Sequence, residues 1–265
     1  MPLDNSAVQS LRRVFNQAFS AHDIAEPLVS FDTKASAEEV REFMREKLYE
    51  VVGLREKGLI VGYIKRDELG EGLCAQYVEP IDDARVIPDT TPLVDVVLGL
   101  RDSPRLFVSL LGRVGGIITR SDLQKPPVRM WLFGMVTLIE MRFSHLITTF
   151  CPDDGWKRFL SEARVAKAET LLAERARRNQ DLDLLDCIQF SDKGQVVARN
   201  EELRSMTRFE SRRQIEQAFK GLERLRNNLA HSQDIITSDW DVIVMLAENL
   251  ESILMGPPGL RRDDE

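Results

Sequence analysis

Cysteine is scarce in this chain, and the few present do not cluster. Three cysteines, Cys74, Cys151 and Cys187, stand far apart in 265 residues. An odd count at such spacing argues against a disulfide framework and predicts reduced thiols in a cytoplasmic protein. Histidine is as rare, with His22, His145 and His231 the only three. Cys/His clusters at finger spacing are absent, so no metal site is expected. There is no Walker-type phosphate loop, zinc motif or serine nucleophile elbow, which leaves little support for a small-molecule enzyme. Long uncharged apolar runs are missing too. The most apolar stretch, Met130 to Phe150, carries Glu140, Arg142 and His145. It reads as a buried helix, and no membrane partner is expected. The first residues lack the apolar core of a secretory leader, in keeping with a cytoplasmic location.

What is present is the composition of an ordinary soluble protein, 43% hydrophobic and 30% charged. At about 150 residues per domain the length predicts two domains, and either half can bury an adequate core. A formal charge of −7 argues against broad binding to nucleic acid or anionic membrane, though not against a local basic site.

The first half carries an internal repeat. After an expected helix from Ser6 to His22, Val29-Ser-Phe-Asp-Thr33 begins one copy and Val86-Ile-Pro-Asp-Thr90 the other. Each continues into a helical pattern and then into strands. Both close alike, as Gly62-Tyr-Ile-Lys-Arg-Asp-Glu-Leu69 and Gly116-Ile-Ile-Thr-Arg-Ser-Asp-Leu123. The order strand, helix, strand, strand, helix start, used twice, predicts a pseudo-symmetric pair of α/β units. The pattern resembles a tandem pair of cystathionine-β-synthase-type (CBS) domains over roughly residues 22 to 145. The resemblance implies that Gly116, Thr119 and Asp122 hold an adenosine ligand, with Thr119 at phosphate and Asp122 at the ribose hydroxyls. The first copy departs from the pattern: Lys65 stands for the threonine and Glu68 for the aspartate. Glu68 can still reach a ribose and Lys65 a phosphate, but the intact copy carries more weight. The alternative is that Thr119 and Asp122 merely cap the helix that follows.

Two prolines in Gln124-Lys-Pro-Pro127 pre-set a new element. From Val128 an apolar helix runs to about Thr149, and Pro152-Asp-Asp-Gly155 reads as a turn. Helices are expected at Trp156–Asn179, Leu182–Phe190, Phe209–Ala230 and Trp240–Leu254, the last capped by Ser238 or Asp239. A short segment is expected from Arg199 to Arg204, and Asp192-Lys-Gly194 reads as a turn between elements. Short connections between such helices predict an antiparallel bundle. From Arg204 to Arg226 seven basic residues face three acidic ones, a local surplus of four. The cluster points to a phosphate-bearing partner, although Arg212 with Glu216, and Lys220 with Glu216 or Glu223, can also pair along a solvated helix face.

Within Ile215 to His231 the apolar residues Ile215, Ala218, Phe219, Leu222, Leu225 and Leu229 share one side of a helix. Arg226 falls in the middle of that stripe, where a guanidinium is costly unless paired. The ending Arg226-Asn-Asn-Leu-Ala-His231 resembles the HEPN superfamily over about residues 128 to 255. The resemblance implies a metal-independent endoribonuclease that works as a homodimer on RNA. His231 is then the general acid or base, Arg226 stabilises phosphoryl charge, and Asn227 orients either group. At roughly 100° per residue Arg226 and His231 do not share a narrow face, so the helix must end near Ala230 or a partner subunit must supply one of them. The structural alternative pairs Arg226 with an acid on a neighbouring helix and makes His231 a helix C-cap.

These readings combine into an expected architecture, α/β plus all-α: an N-terminal tandem βαββα pair followed by an antiparallel helical bundle. The expected boundaries are 1–125, with repeats at about 22–74 and 75–125, then 126–256 and a disordered tail at 257–265. The expected function is a nucleotide-responsive protein with a dimeric endoribonuclease domain, in a toxin or stress-defence setting. No cofactor is required; a regulatory adenosine nucleotide (AMP, ADP or ATP) is expected. The competing class is a non-catalytic adenine-nucleotide sensor that dimerises and docks a protein partner.

Overall fold

The computed structural model describes Arg13 and residues 18–255, with the backbone alone for 250–255. Most of the expected helix Ser6–His22 lies outside the described residues, as does the 257–265 tail. Two compact units part between Val128 and Arg129.

The first unit is built from two copies of one motif. Strand β1 (Glu26–Pro27) precedes β2 (Ser30–Asp32), helix α1 (Ala37–Glu46), β3 (Val51–Glu56) and β4 (Leu59–Lys65). The second copy runs β5 (Val86–Pro88), helix α2 (Leu93–Asp102), β6 (Arg105–Leu110) and β7 (Arg113–Thr119). Each copy pairs its first strand parallel to its second, and its second antiparallel to its third. Ser36 starts α1 by accepting the Glu39 amide, and Val40 and Met44 bury its inner face. Both hairpins turn on two left-handed residues, Lys57-Gly58 and Leu111-Gly112, the geometry that matches strand twist. A register shift falls at Leu54/Arg55 in one copy and at Val108/Ser109 in the other. This backbone equivalence is stronger than the sequence repeat alone implies.

The copies also exchange an edge. β1 pairs antiparallel with β7 of the second copy, so one sheet runs β1-β7-β6-β5 and the other β2-β3-β4. A shared core forms around Leu28, Tyr63 and Phe107, with the two rings 5.2 Å apart. The residues that follow β4 and β7 wind into 3-10 turns at Arg66–Glu68 and Arg120–Gln124.

The second unit is helical. Helix α3 (Pro126–Phe150) is long and apolar enough to cross a membrane by length and composition, and 56% of its most apolar window is buried inside the protein. Then come α4 (Glu162–Ala176), α5 (Phe190–Arg199), α6 (Glu201–Ser205), α7 (Arg212–Ala230) and α8 (Ile236–Met255). Phe219 of α7 centres the packing, with its ring 4.8 Å from Phe143 of α3 and 5.1 Å from Phe190 of α5.

Several local expectations are corrected here. Trp156–Asn179 is broken: a 3-10 turn at Gly155–Phe159 precedes α4, and Ser161 sits at its N-cap. Leu182–Phe190 is reduced to a 3-10 turn at Leu184–Cys187. Asp192-Lys-Gly194 is no turn but the interior of α5. Gln189 caps that helix in a box with Asp192, and Gly194 lets its backbone press on Phe219, where a Cβ would stand 2.4 Å from the phenylalanine Cβ. Close helix approach here overrides the turn composition. Helix α8 starts earlier than expected because Asp234 accepts the amides of Ile236 and Thr237, at 2.8 and 3.3 Å. Asp239, expected as a cap, is instead fully buried inside the helix.

Candidate functional site

A cleft of about 620 Å³ opens in the α/β unit. Its wall is built from β1, the segment before β3, the end of α2 and the turn after β7. Thr119 and Asp122 both line it. Asp122 is 8% exposed, and one carboxylate oxygen accepts the Thr119 amide at 2.7 Å and its hydroxyl at 2.9 Å. That is the capping geometry weighed as the alternative to ligand binding. The other oxygen meets Lys125 Nζ at 2.9 Å. Lys125 also donates to the Ile24 carbonyl at 2.6 Å and to the carboxylate of Glu26. Burial alone would lower its pKa, but the bonds to Glu26 and Asp122 outweigh burial and hold the ammonium above its ordinary value.

The same wall also carries three arginines, Arg101, Arg105 and Arg120. Arg101 and Asp102 form a two-pronged pair at 2.8 and 2.7 Å, and Arg101 holds the Asp102 carboxyl below the usual range. Arg120 donates to the carbonyls of Leu100 and Arg101 at the end of α2, at 3.1 and 3.3 Å. The Arg105 guanidinium lies 5.9 Å from the centre of the Tyr63 ring, within cation–π range. Leu48 and Tyr49 also line the cleft, at 81% and 38% exposed. Tyr49 is backed by Phe43 at 6.1 Å, itself against Phe31 at 5.2 Å. Acidic, basic and aromatic side chains thus share one cleft wall.

The other expected ligand residues lie elsewhere. Gly116 is buried beneath β1, opposite Pro27; a Cβ there would stand 3.1 Å from Val108 Cβ. Its role in this geometry is strand packing. Lys65 and Glu68 are not in the cleft wall. Lys65 Nζ pairs with Glu68 at 3.0 Å and Glu79 at 2.5 Å, while Tyr63 donates to Glu79 at 2.6 Å. Sequence reading passed over Glu26 and Glu79. A partial signal existed, since a Glu-Pro pair precedes each copy, although Glu26 stands three residues before Val29 and Glu79 seven before Val86.

In the helical unit, Arg226 donates to Glu140 at 2.6 Å, and the other oxygen of Glu140 takes Lys193 at 3.0 Å. Lys193 is 3% exposed. The guanidinium on the apolar stripe is therefore paired within the chain by an acid on a neighbouring helix. Helix α7 ends at Ala230 and His231 is its C-cap, with its amide on the Asn227 and Leu229 carbonyls. Arg129 donates to the carbonyls of Asn228, Leu229 and Gln233 at 2.9, 3.2 and 2.9 Å, closing the same helix end. Asn227 and His231 are exposed, and they continue a face that runs through Arg213, Gln217, Lys220 and Arg224. Arg224 is committed to the buried Asp239 at 2.7 Å. Arg208, Arg212, Arg213 and Lys220 form no ion pair among the described residues.

No family model and no curated protein matches the chain. Among solved structures it is similar to proteins built on a CBS pair. One is the CBS-pair protein CBSX2 from Arabidopsis thaliana, 19% identical, with TM-score 0.35, covering 40% of this chain and 91% of that one. A structure of CBSX2 in complex with AMP is 20% identical, with TM-score 0.36, covering 40% and 93%. The CBS domain of a bacterial CNNM/CorC family Mg2+ transporter in complex with ATP is 17% identical, with TM-score 0.36, covering 46% and 94%.

Proposed function

We propose that this chain is an adenine-nucleotide sensor whose helical unit dimerises and docks a partner. The observation that carries the reading is the cleft whose wall holds the Thr119–Asp122 turn together with Arg101, Arg105, Arg120 and Tyr49. The ribose hydroxyls go to Asp122, phosphate to these arginines, and the base to Tyr49. Exposed Met130 and Phe133, on one face of α3, supply apolar surface for self-association. Calorimetric titration with AMP and ATP tests the ligand. Wild type binds; Asp122→Ala weakens affinity about 10- to 100-fold, the scale of lost hydrogen bonds to a charged acceptor. Thr119→Val, which keeps the carboxylate, weakens it less. Equal affinity in wild type and Asp122→Ala, or no binding at all, refutes the reading.

A second reading keeps the ribonuclease expectation, favoured by the acid-free exposed face Arg213–Lys220–Asn227–His231. In it a dimer brings two copies of Arg226, Asn227 and His231 to one RNA. Arg226 must then leave Glu140 to reach phosphate. Incubation with total RNA in EDTA, with and without AMP, discriminates: cleavage that disappears in His231→Ala supports it, and no cleavage returns the helical unit to docking alone.

A further inference from the structure

Three arginines line the cleft, and two of them are engaged within the chain. Arg101 lies against Asp102 in a two-pronged pair, and Arg120 donates to the carbonyls of Leu100 and Arg101. The guanidinium of Arg105 makes no hydrogen bond or ion pair among the described residues. Its backbone is fixed all the same. Ser103, 6% exposed, donates its hydroxyl to the Arg105 carbonyl at 2.8 Å. Arg105 stands directly opposite Thr119 in the antiparallel pairing of β6 with β7, so the two side chains leave the same face of the sheet. Both line the cleft. An uncommitted guanidinium beside a hydroxyl is an arrangement that accepts an anionic oxygen.

What the Arg105 guanidinium does touch belongs to the other copy. It lies 5.9 Å from the centre of the Tyr63 ring, on β4. Tyr63 is 6% exposed and is fixed at both ends: its ring packs 5.2 Å from Phe107, and its hydroxyl donates to Glu79 at 2.6 Å. Glu79 is held in turn by Lys65 and by backbone bonds with Tyr63 at 2.9 and 2.8 Å. Burial, then the bond to Glu79, keeps the phenol above its usual pKa, so it remains a neutral donor. A phenol that donates to a carboxylate carries extra electron density on its ring, which strengthens its attraction for a cation. Tyr63 thus holds a cation without neutralising it, whereas a carboxylate partner would cancel the charge that an anionic ligand needs.

We propose that Tyr63, from the first copy, is a positioning residue for the cleft: it holds Arg105 ready for an anionic group of the ligand. Arg105 is then the residue by which the cleft distinguishes a phosphate-bearing ligand from the same molecule without phosphate. Affinity in the cleft thereby depends on the packing of the first copy, through Tyr63, Phe107 and Glu79. The inference rests on the nucleotide reading for the identity of the ligand, but the anion site is tested without it.

AMP, adenosine and inorganic pyrophosphate are titrated calorimetrically into the full-length protein. Wild type is expected to bind AMP more tightly than adenosine. Arg105→Gln weakens AMP and pyrophosphate about 10- to 100-fold, the scale of lost charge-assisted hydrogen bonds, and leaves adenosine unchanged. Tyr63→Leu weakens AMP and pyrophosphate about three- to tenfold, the scale of a cation–π contact, again without effect on adenosine. Tyr63→Phe, which keeps the ring, recovers most of the loss. Joined to Arg105→Gln, Tyr63→Leu adds nothing further. Should the leucine variant not fold, pentafluorophenylalanine in place of Tyr63 keeps an aromatic ring but reverses its quadrupole, and weakens AMP relative to Tyr63→Phe. A Tyr63→Leu loss shared equally by AMP and adenosine, or one that adds to Arg105→Gln, marks a purely structural role and overturns the proposal. Pyrophosphate binding that depends on Tyr63 and Arg105 while AMP does not bind keeps this inference and removes the nucleotide reading. AMP binding that needs Asp122 but neither Arg105 nor Tyr63 does the reverse, and no binding of any probe overturns both.

Discussion

Glu140 shows what one side chain decides. It sits on the long apolar helix α3 and gives one oxygen to buried Lys193 and the other to Arg226. Lys193 has only this acid within salt-bridge reach among the described residues. Glu140→Gln is therefore expected to cost about 3 kcal/mol, because an ammonium is left buried without its counter-charge. Glu140→Leu with Lys193→Met should recover much of that loss. Arg226→Ala should cost only about 1 kcal/mol, since its side chain is 33% exposed and its pair is partly screened. Urea midpoints at unchanged slope measure all three. A cost for Arg226→Ala as large as that for Glu140→Gln would mean that the guanidinium, not Lys193, is the charge that needs the acid.

At the scale of elements, the crossing of α5 and α7 sets position against propensity. Gly194 lies inside a helix, where alanine is ordinarily better by about 1 kcal/mol. Here a methyl group would overlap both Cβ and Cγ of Phe219, each at 2.4 Å. Gly194→Ala is thus expected to destabilise by a net 1–3 kcal/mol, roughly the cost of overpacking a filled core. A rise in melting temperature in this variant would show that the helices can move apart freely. The same crossing explains why Asp192-Lys-Gly194 was legible only as a turn. Its composition is that of a loop, and nothing local records that Phe219 presses on Gly194 or that Lys193 has an acid waiting on α3.

For the molecule as a whole, the junction after the second copy matters most. Lys125 is the last residue before α3, and it is tied to both acids at the wall of the cleft, Asp122 and Glu26. On the proposed reading, a nucleotide at Asp122 would share that carboxylate with Lys125, and the residues next to Lys125 are expected to respond to it. Coupling of this kind is typically about 1–3 kcal/mol. Hydrogen exchange should show AMP slowing the amides of Thr119 to Asp122 and of β1, and altering exchange in the first turn of α3. Protection confined to the cleft, with the α3 turn unchanged, would leave a binding site without a transmitted signal.

The sequence by itself determined the repeat, the strand–helix–strand–strand order, the long apolar helix and the amphipathic α7. Each of these is written in local periodicity and in two similar endings, and periodicity survives without knowledge of neighbours. It also marked Thr119, Asp122 and Arg226 as residues out of the ordinary. Only the tertiary structure decided what they face. The Glu-Pro pairs acquire meaning when β1 and the segment at Glu79 are laid across β7 and β4, which brings Glu26 to Lys125 and Glu79 to Lys65. Arg226 meets Glu140 only because two helices distant in the chain pack side by side. Partners for a charge are chosen by the packing of the whole, and a single line of residues does not contain that choice.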